Sequence, residues 1–278
     1  MKKLLLALLF VCSNAWATDF QDIWWDSTKS GMGIIIGQQG SSLFVSWFTY
    51  SAGGTAIWYV FTAPLVVTSA NSLEGLSQQS ASGTIQQFSG TPPTQYNPNA
   101  ESSTIVGSGT LTFTSAVAAK FNYTLNGLVN AMNLSRFNFA TVPPDGDYGG
   151  GFILNASGCG NPNDDGTVSD FSLFNITTSG SQISIKQTYS SSLICNYSGT
   201  YAQLGTKYFA SGSFQCSNGY GGSWATNDLS IHDVFLSGQM GLTYTSGESC
   251  NAVVDIAMFN ATQAPAAKFA KRRSALIQ

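Results

Sequence analysis

Turn-forming residues interrupt this chain every 8–14 positions, and between them stand short runs of β-branched and aromatic residues. Such a rhythm suits an all-antiparallel barrel or sandwich. A parallel sheet is excluded, because each parallel pair needs a crossover of a dozen or more residues and no helical stretch is available to supply one. Only the tail APAAKFAKRRSALIQ has helical composition. The clearest boundary is TVPPDGD at 141–147, where two prolines and an Asp-Gly turn break the strand pattern.

Each side of that boundary yields about eight strand-like runs. In the first half they fall near 33–39, 42–51, 55–63, 65–70, 83–89, 104–114, 117–126 and 130–139. In the second they fall near 149–156, 168–177, 182–190, 194–203, 207–217, 223–231, 235–246 and 251–259. Eight short strands suit a small barrel whose interior is filled by side chains or holds one small ligand. The reading is therefore two tandem small antiparallel barrels, at 18–142 and 143–263, with a sandwich as the alternative. Echoes at near-constant offsets point to a duplication. Gly31–Ile36 matches Gly149–Leu154, Ser82-Gly83-Thr84 with Gln87 matches Ser198-Gly199-Thr200 with Gln203, and Asn130-Ala131 before Phe137 matches Asn251-Ala252 before Phe259.

The first seventeen residues, MKKLLLALLFVCSNAWA, combine two lysines, an apolar run and a small-x-small ending at Ala15–Ala17. They read as a signal peptide cleaved before Thr18, and no later run is long enough to span a bilayer as a helix. Lipidation at Cys12 is disfavoured by Val11 before it. The expected address is the periplasm or the medium. Four cysteines remain in the mature chain, an even count that favours disulfides in an exported protein. Four cysteines permit three pairings; a hairpin turned at Gly205-Thr206 would set Cys195 opposite Cys216, which favours that pair together with Cys159–Cys250, a bond that would staple the first strand of the second half to the last. Residues 18–263 carry fourteen acids against five bases, a net −9, so nucleic acid is a poor partner. The basic tail, 264–278, adds four bases and no acid.

The segment LFVSWFTYSAGGTAIWYVF, Leu43 to Phe61, is apolar on both faces. A turn at Ala52-Gly53 pairs Trp47 with Trp58 and Val45 with Val60. One face then carries Leu43, Val45, Trp47, Trp58 and Val60, and the other carries Phe44, Phe48, Tyr50, Ile57, Tyr59 and Phe61, because strand side chains alternate. Only one face can line its own barrel. The matching hairpin around Ser179-Gly180 is one-sided, with Gln182, Ser184 and Lys186 pointing away, so the surplus is expected to be local to the first half. The second face can pack on the other barrel or on Trp24 and Trp25, form an exposed platform, or mediate self-association. The candidate binding residues are Trp47, Trp58, Tyr59, Phe48, Tyr50, Trp24 and Trp25.

Trp24-Trp25, Ser30-Gly31-x-Gly33, Gln39-Gly40, Leu43-Phe44, Trp47-Phe48-x-Tyr50, Gly54 and Trp58-Tyr59 together resemble a motif of secreted proteobacterial proteins of no established activity. The likeness covers roughly residues 22–61. It implies no catalytic residue, and the second half lacks the tryptophan pairs.

Sites for chemistry are sparse. The single histidine, His232, stands beside Asp233 without a nucleophile elbow anywhere in the chain. Asp145 with Asp147, Asp164 with Asp165, and Asp19, Asp22 and Asp26 all lie among turn residues, where Asp bonds its own backbone. Asn161-x-Asn163-x-Asp165-Gly166 begins like a calcium loop, but Ser172 takes the place of the bidentate Glu and no helices flank it. No metal and no cofactor are expected. The sequence reads as a binding protein rather than an enzyme, recognising a glycan, a peptide or an envelope partner, with a structural or inhibitory envelope role and homo-oligomerisation as the alternative.

Overall fold

The computed structural model describes residues 18–69, 78–232, 234–246 and 249–261. The signal-peptide and basic-tail readings lie outside the described residues. Two closed antiparallel barrels of eight strands each account for the fold. The first comprises β1 (Asp22–Trp25), β2 (Gly33–Gln39), β3 (Ser42–Tyr50), β4 (Ala56–Ser69), β5 (Gln78–Ser89), β6 (Ser102–Phe113), β7 (Ala118–Leu125) and β8 (Leu128–Arg136). The second comprises β9 (Gly146–Ser157), β10 (Gly166–Ser179), β11 (Gln182–Tyr189), β12 (Ile194–Leu204), β13 (Lys207–Cys216), β14 (Gly221–His232), β15 (Phe235–Ser246) and β16 (Cys250–Asn260). The first barrel closes where β1 meets β8, and the second where β16 meets β9.

Eight strands is the expected number in the first half, but two of its expected runs are one strand. The runs near 55–63 and 65–70 join across Pro64 as β4. Proline has no N–H to donate, and the β4–β5 pairing skips from Val60↔Gln86 to Leu65↔Ala81 across it. The missing eighth strand is the four-residue β1, DIWW, which is too short to show alternation.

The opening hairpin also departs from its expected register. Ser51 N bonds to Thr55 O and Gly54 N to Ser51 O, so the turn is three residues long, Ala52 to Gly54, with Gly54 in the left-handed region at φ 78°. One extra turn residue slides β4 by one position, and a slide of one moves every side chain to the opposite face. The pairs are Trp47↔Tyr59, Phe48↔Trp58 and Val45↔Phe61. Leu43, Val45, Trp47, Tyr59 and Phe61 are therefore interior.

The sequence echoes have a physical counterpart in the barrel walls. Gly83 on β5 pairs with Gly109 on β6, and Gly199 on β12 pairs with Gly212 on β13. A Cβ on Gly199 would lie 2.0 Å from Ser211 O, so the strands cross there at a distance only glycine permits. Matching these pairs sets β5 on β12, and the 31–36 echo sets β2 on β9. The Asn-Ala echo instead sets β8 against β16, one strand out of step. By the first two echoes β1 corresponds to β16, so the same closing strand comes first in one barrel and last in the other.

The barrels are joined by a buried polar latch. Arg136, at the end of β8, donates to Asp22 Oδ2 (2.8 Å) and to the carbonyls of Asp19, Gln21 and Ala116, and its guanidinium stacks over Trp24. Asp22 Oδ2 also accepts from the backbone N–H (2.9 Å) and hydroxyl (3.0 Å) of Thr206, in the β12–β13 turn of the second barrel. Both ionic side chains are almost wholly buried. Burial pulls the Arg136 pKa down, and the bond to Asp22 counters it. Around the latch, Asn138 bonds to Gly205 N and Gln203 O, and Tyr208 donates to Val142 O. The 137–145 connector is thereby tied to the second barrel.

Candidate recognition surface

The slide of β4 sorts the seven candidate aromatics into two groups. Trp47, Tyr59 and Trp24 are interior, at 3%, 5% and 0% exposure, and so are corrected from surface residues to core. Trp47 meets Tyr59, Phe121 and Tyr123 within 4.6–5.4 Å, and its Nε1 has no hydrogen-bond partner among the described residues. Trp25 is half-buried, edge-on to Phe137 at 5.1 Å. Phe48, Tyr50 and Trp58 point outward at 45%, 50% and 51% exposure, and Phe44, at 51%, joins them.

These four rings share the outer wall of β3 and β4. Phe48 and Trp58 are direct cross-strand partners, the arrangement in which aromatic side chains lie closest in a sheet. The Tyr50 ring lies against Gly31, where a Cβ would fall 2.7 Å from the tyrosine hydroxyl. Gly31 also sits at φ 84°, so a larger residue is doubly disfavoured and the ring's seat is kept. Ser46, Thr62 and Gln86 flank the rings on the same outer wall. From Ser30 to Leu73 the sequence has no charged residue, so this wall carries no formal charge of its own.

An outer apolar patch is not confined to the first barrel, contrary to the expectation from the 182–186 alternation. Gln182, Ser184 and Lys186 do face outward on β11, yet Phe171, Leu173, Ile153 and Phe259 are exposed on β10, β9 and β16. Leu173 and Phe171 lie over Gly149, as Tyr50 lies over the echoed Gly31. The β11 strand alone could not show this, because the second patch belongs to other strands.

The chemical candidates have structural partners, and not all of them within their own turns as expected: Asp22 holds the latch, and Asp145 and Asp147 reach across to β10. Asp145 accepts from the Thr178 N–H and hydroxyl, and Asp147 accepts from the Asn175 amide. Asp19 accepts from Gln21 N, while Asp26 caps Thr28 and pairs with Lys29. In the calcium-like loop, Asn161 Oδ1 accepts from Asn163, and Asp165 Oδ1 accepts from Cys159 N. Asn161 Oδ1 and Asp165 Oδ1 are thus engaged inside the loop, and the described residues contain no group of three or more His, Cys, Asp or Glu able to hold a metal. His232 is exposed at the end of β14, beside a small cavity that Asp19, Asp228 and Asp255 also line. No hydrogen bond joins it to a described hydroxyl, and Asp233 lies outside the described residues.

Known protein families, characterised proteins and solved structures provide no match to this chain. Cys195 bonds to Cys216 directly across β12 and β13, and Cys159, two residues past the end of β9, bonds to Cys250 at the start of β16, so the bond lies beside the two strands that close the second barrel. Two disulfides, with no helix among the described residues long and apolar enough to cross a membrane, are consistent with an extracellular or periplasmic protein. Sequence reasoning missed the mouth of the second barrel. There Tyr189, Tyr220 and Tyr244 surround an opening, and a buried network runs beneath them from Tyr197 to Gln187 (2.8 Å) and Gln187 to Ser172 (3.3 Å). Each of these residues reads as ordinary strand sequence until closure brings eight strand ends together.

Proposed function

We propose that the protein is an exported, non-catalytic recognition module that binds a neutral glycan on the outer wall of its first barrel. The observation that supports this most directly is the outward Phe48–Trp58 pair, half-exposed and flanked by Phe44 and Tyr50 on an uncharged wall. A sugar ring offers an apolar C–H face and a polar rim. Aromatic rings beside hydroxyl and amide groups meet both demands, whereas a charged peptide would find no counter-ion here. Tyr50 is seated on Gly31 before any ligand arrives, which lowers the ordering cost of binding.

The test is titration of the mature chain with neutral oligosaccharides and precipitation with insoluble neutral polysaccharides, beside a Phe48→Ala/Trp58→Ala variant. The expected result is binding that the variant weakens by at least about tenfold, as for central interface aromatics, with thermal unfolding unchanged. Unchanged binding by the variant, or no binding to any neutral glycan, overturns the reading. A dimer that the same two substitutions dissolve would assign the wall to self-association instead.

A further inference from the structure

The second barrel is open at the end remote from the latch, and the opening holds a cavity of about 390 Å³. This is inside the range of small-ligand sites, which favour barrel mouths. Its walls are apolar and aromatic. Phe152 and Leu154 rise from β9 and Leu193 from the β11–β12 turn, and the three tyrosines complete the ring. Phe152 meets Tyr189 edge to face at 5.4 Å, and Tyr220 meets Tyr244 in the same way at 6.1 Å. Both disulfides reach the lining, Cys195 with Cys216 and Cys250 from the second bond, so four of the strand ends that form the mouth are covalently held.

Charge at the mouth has one sign. Asp164 and Asp170 line it, and no lysine, arginine or histidine does. The two bases within residues 143–263 are elsewhere: Lys186 points outward from β11, and Lys207 is buried against Ser230 (2.8 Å) and Asp228 near the latch. Asp170 accepts from the Ser190 hydroxyl (2.6 Å) and from Phe171 N (2.7 Å), bonds that favour its ionised form and hold its pKa below the usual range.

We infer that this mouth is a second binding site, which takes a small organic cation with an apolar body, the cationic head among the tyrosine rings and the Asp164 and Asp170 carboxylates. Ring faces attract cations through their quadrupole, and this attraction adds to that of the two carboxylates at the rim. An anion would meet two carboxylates with no compensating base. The site is separate from the outer wall of the first barrel, and neither reading depends on the other.

The experiment is a titration of the full mature chain, followed by NMR of the tyrosine rings and by calorimetry, with benzyltrimethylammonium, benzyl alcohol and phenylacetate as probes. Saturable shifts with the cation, absent or at least about tenfold weaker with the other two, are expected. Asp170→Asn, which keeps an acceptor for Ser190, should weaken the cation about tenfold. Ala156→Trp should abolish its binding by filling the cavity, with near-native circular dichroism as the folding control. Equal binding of the neutral probe, preference for phenylacetate, no saturable shift, or indifference to Asp170→Asn would each overturn the inference. Asp170→Asn keeps it open to refutation if the tryptophan variant does not fold.

Discussion

Asp22 Oδ2 lies 2.8 Å from Arg136 Nη1 and 2.9 Å from the Thr206 backbone nitrogen, so a single carboxylate oxygen serves both barrels. Removing it by Asp22→Ala leaves a buried guanidinium without its counter-ion. The expected loss is about 3–5 kcal/mol of stability in denaturant unfolding. A loss below about 1 kcal/mol would show the latch to be unimportant.

The turn that meets this carboxylate leaves no room for a side chain. Gly205 sits at φ 61°, and a Cβ there would press on both Asp22 and Arg136. Gly205→Ala is expected to destabilise by about 1–3 kcal/mol, from left-handed strain and the displaced carboxylate. In a Gly205→Ala/Asp22→Ala cycle the two costs should be less than additive.

Trp47 gives a test of its interior placement. Its ring fills the first barrel while its Nε1 lacks a partner. Trp47→Phe removes the unsatisfied donor and most of the volume stays, so it should cost less than about 1.5 kcal/mol. Trp47→Ala should cost about 3–5 kcal/mol. Equal, small effects from both would place the ring outside the core.

How legible the fold was depended on how local its signals are. Most strand positions and the Cys195–Cys216 pairing were readable, because alternation and hairpin spacing are short-range properties, and Cys159–Cys250 was then the remaining pair. The β3–β4 turn was not, since Ala52-Gly53-Gly54 accommodates a two- or a three-residue loop and the choice decides which of Trp58 and Tyr59 faces out. That is why Phe48, Tyr50 and Trp58 lie on the surface while Trp47, Tyr59 and Trp24 do not. The Asp22–Arg136 pair spans 114 positions and leaves no pattern at either end.

The two disulfides should differ in worth. Cys159–Cys250 encloses a separation of 91 residues and Cys195–Cys216 one of 21. Loop-closure entropy gives about 5 kcal/mol for the longer and about 3 kcal/mol for the shorter. Serine pairs at each, compared by urea unfolding under oxidising conditions, should preserve that order, and the reverse order would point to native-state strain.

Alkaline pH should open the second barrel. Tyr197 is buried, and burial raises its pKa well above 10.0, while Tyr244 is pushed up to about 12 by the same cause. A tyrosine is neutral when protonated, so a raised folded-state pKa supports the native state fully below pH 10 and progressively less as pH climbs toward the folded value. For Tyr197 the loss is about 1.4 kcal/mol per pH unit above 10. Tyrosinate absorbance should rise in a step that coincides with the loss of near-UV circular dichroism. A smooth titration with retained structure would contradict the burial.

The placement of the closing strands carries over to biogenesis. The first barrel needs only the chain up to Arg136 to become a continuous wall, since β1 has been waiting from the start. The second likewise stays an open sheet with two unpaired edges until β16 arrives, and there Cys159 also has no partner until Cys250 emerges with it. The wait between first strand and seal is the same in each barrel, 114 positions from Asp22 to Arg136 and from Gly146 to Asn260, but only in the second does a cysteine wait with it, so a chain cut short before Cys250 would present bare edges and a lone thiol together.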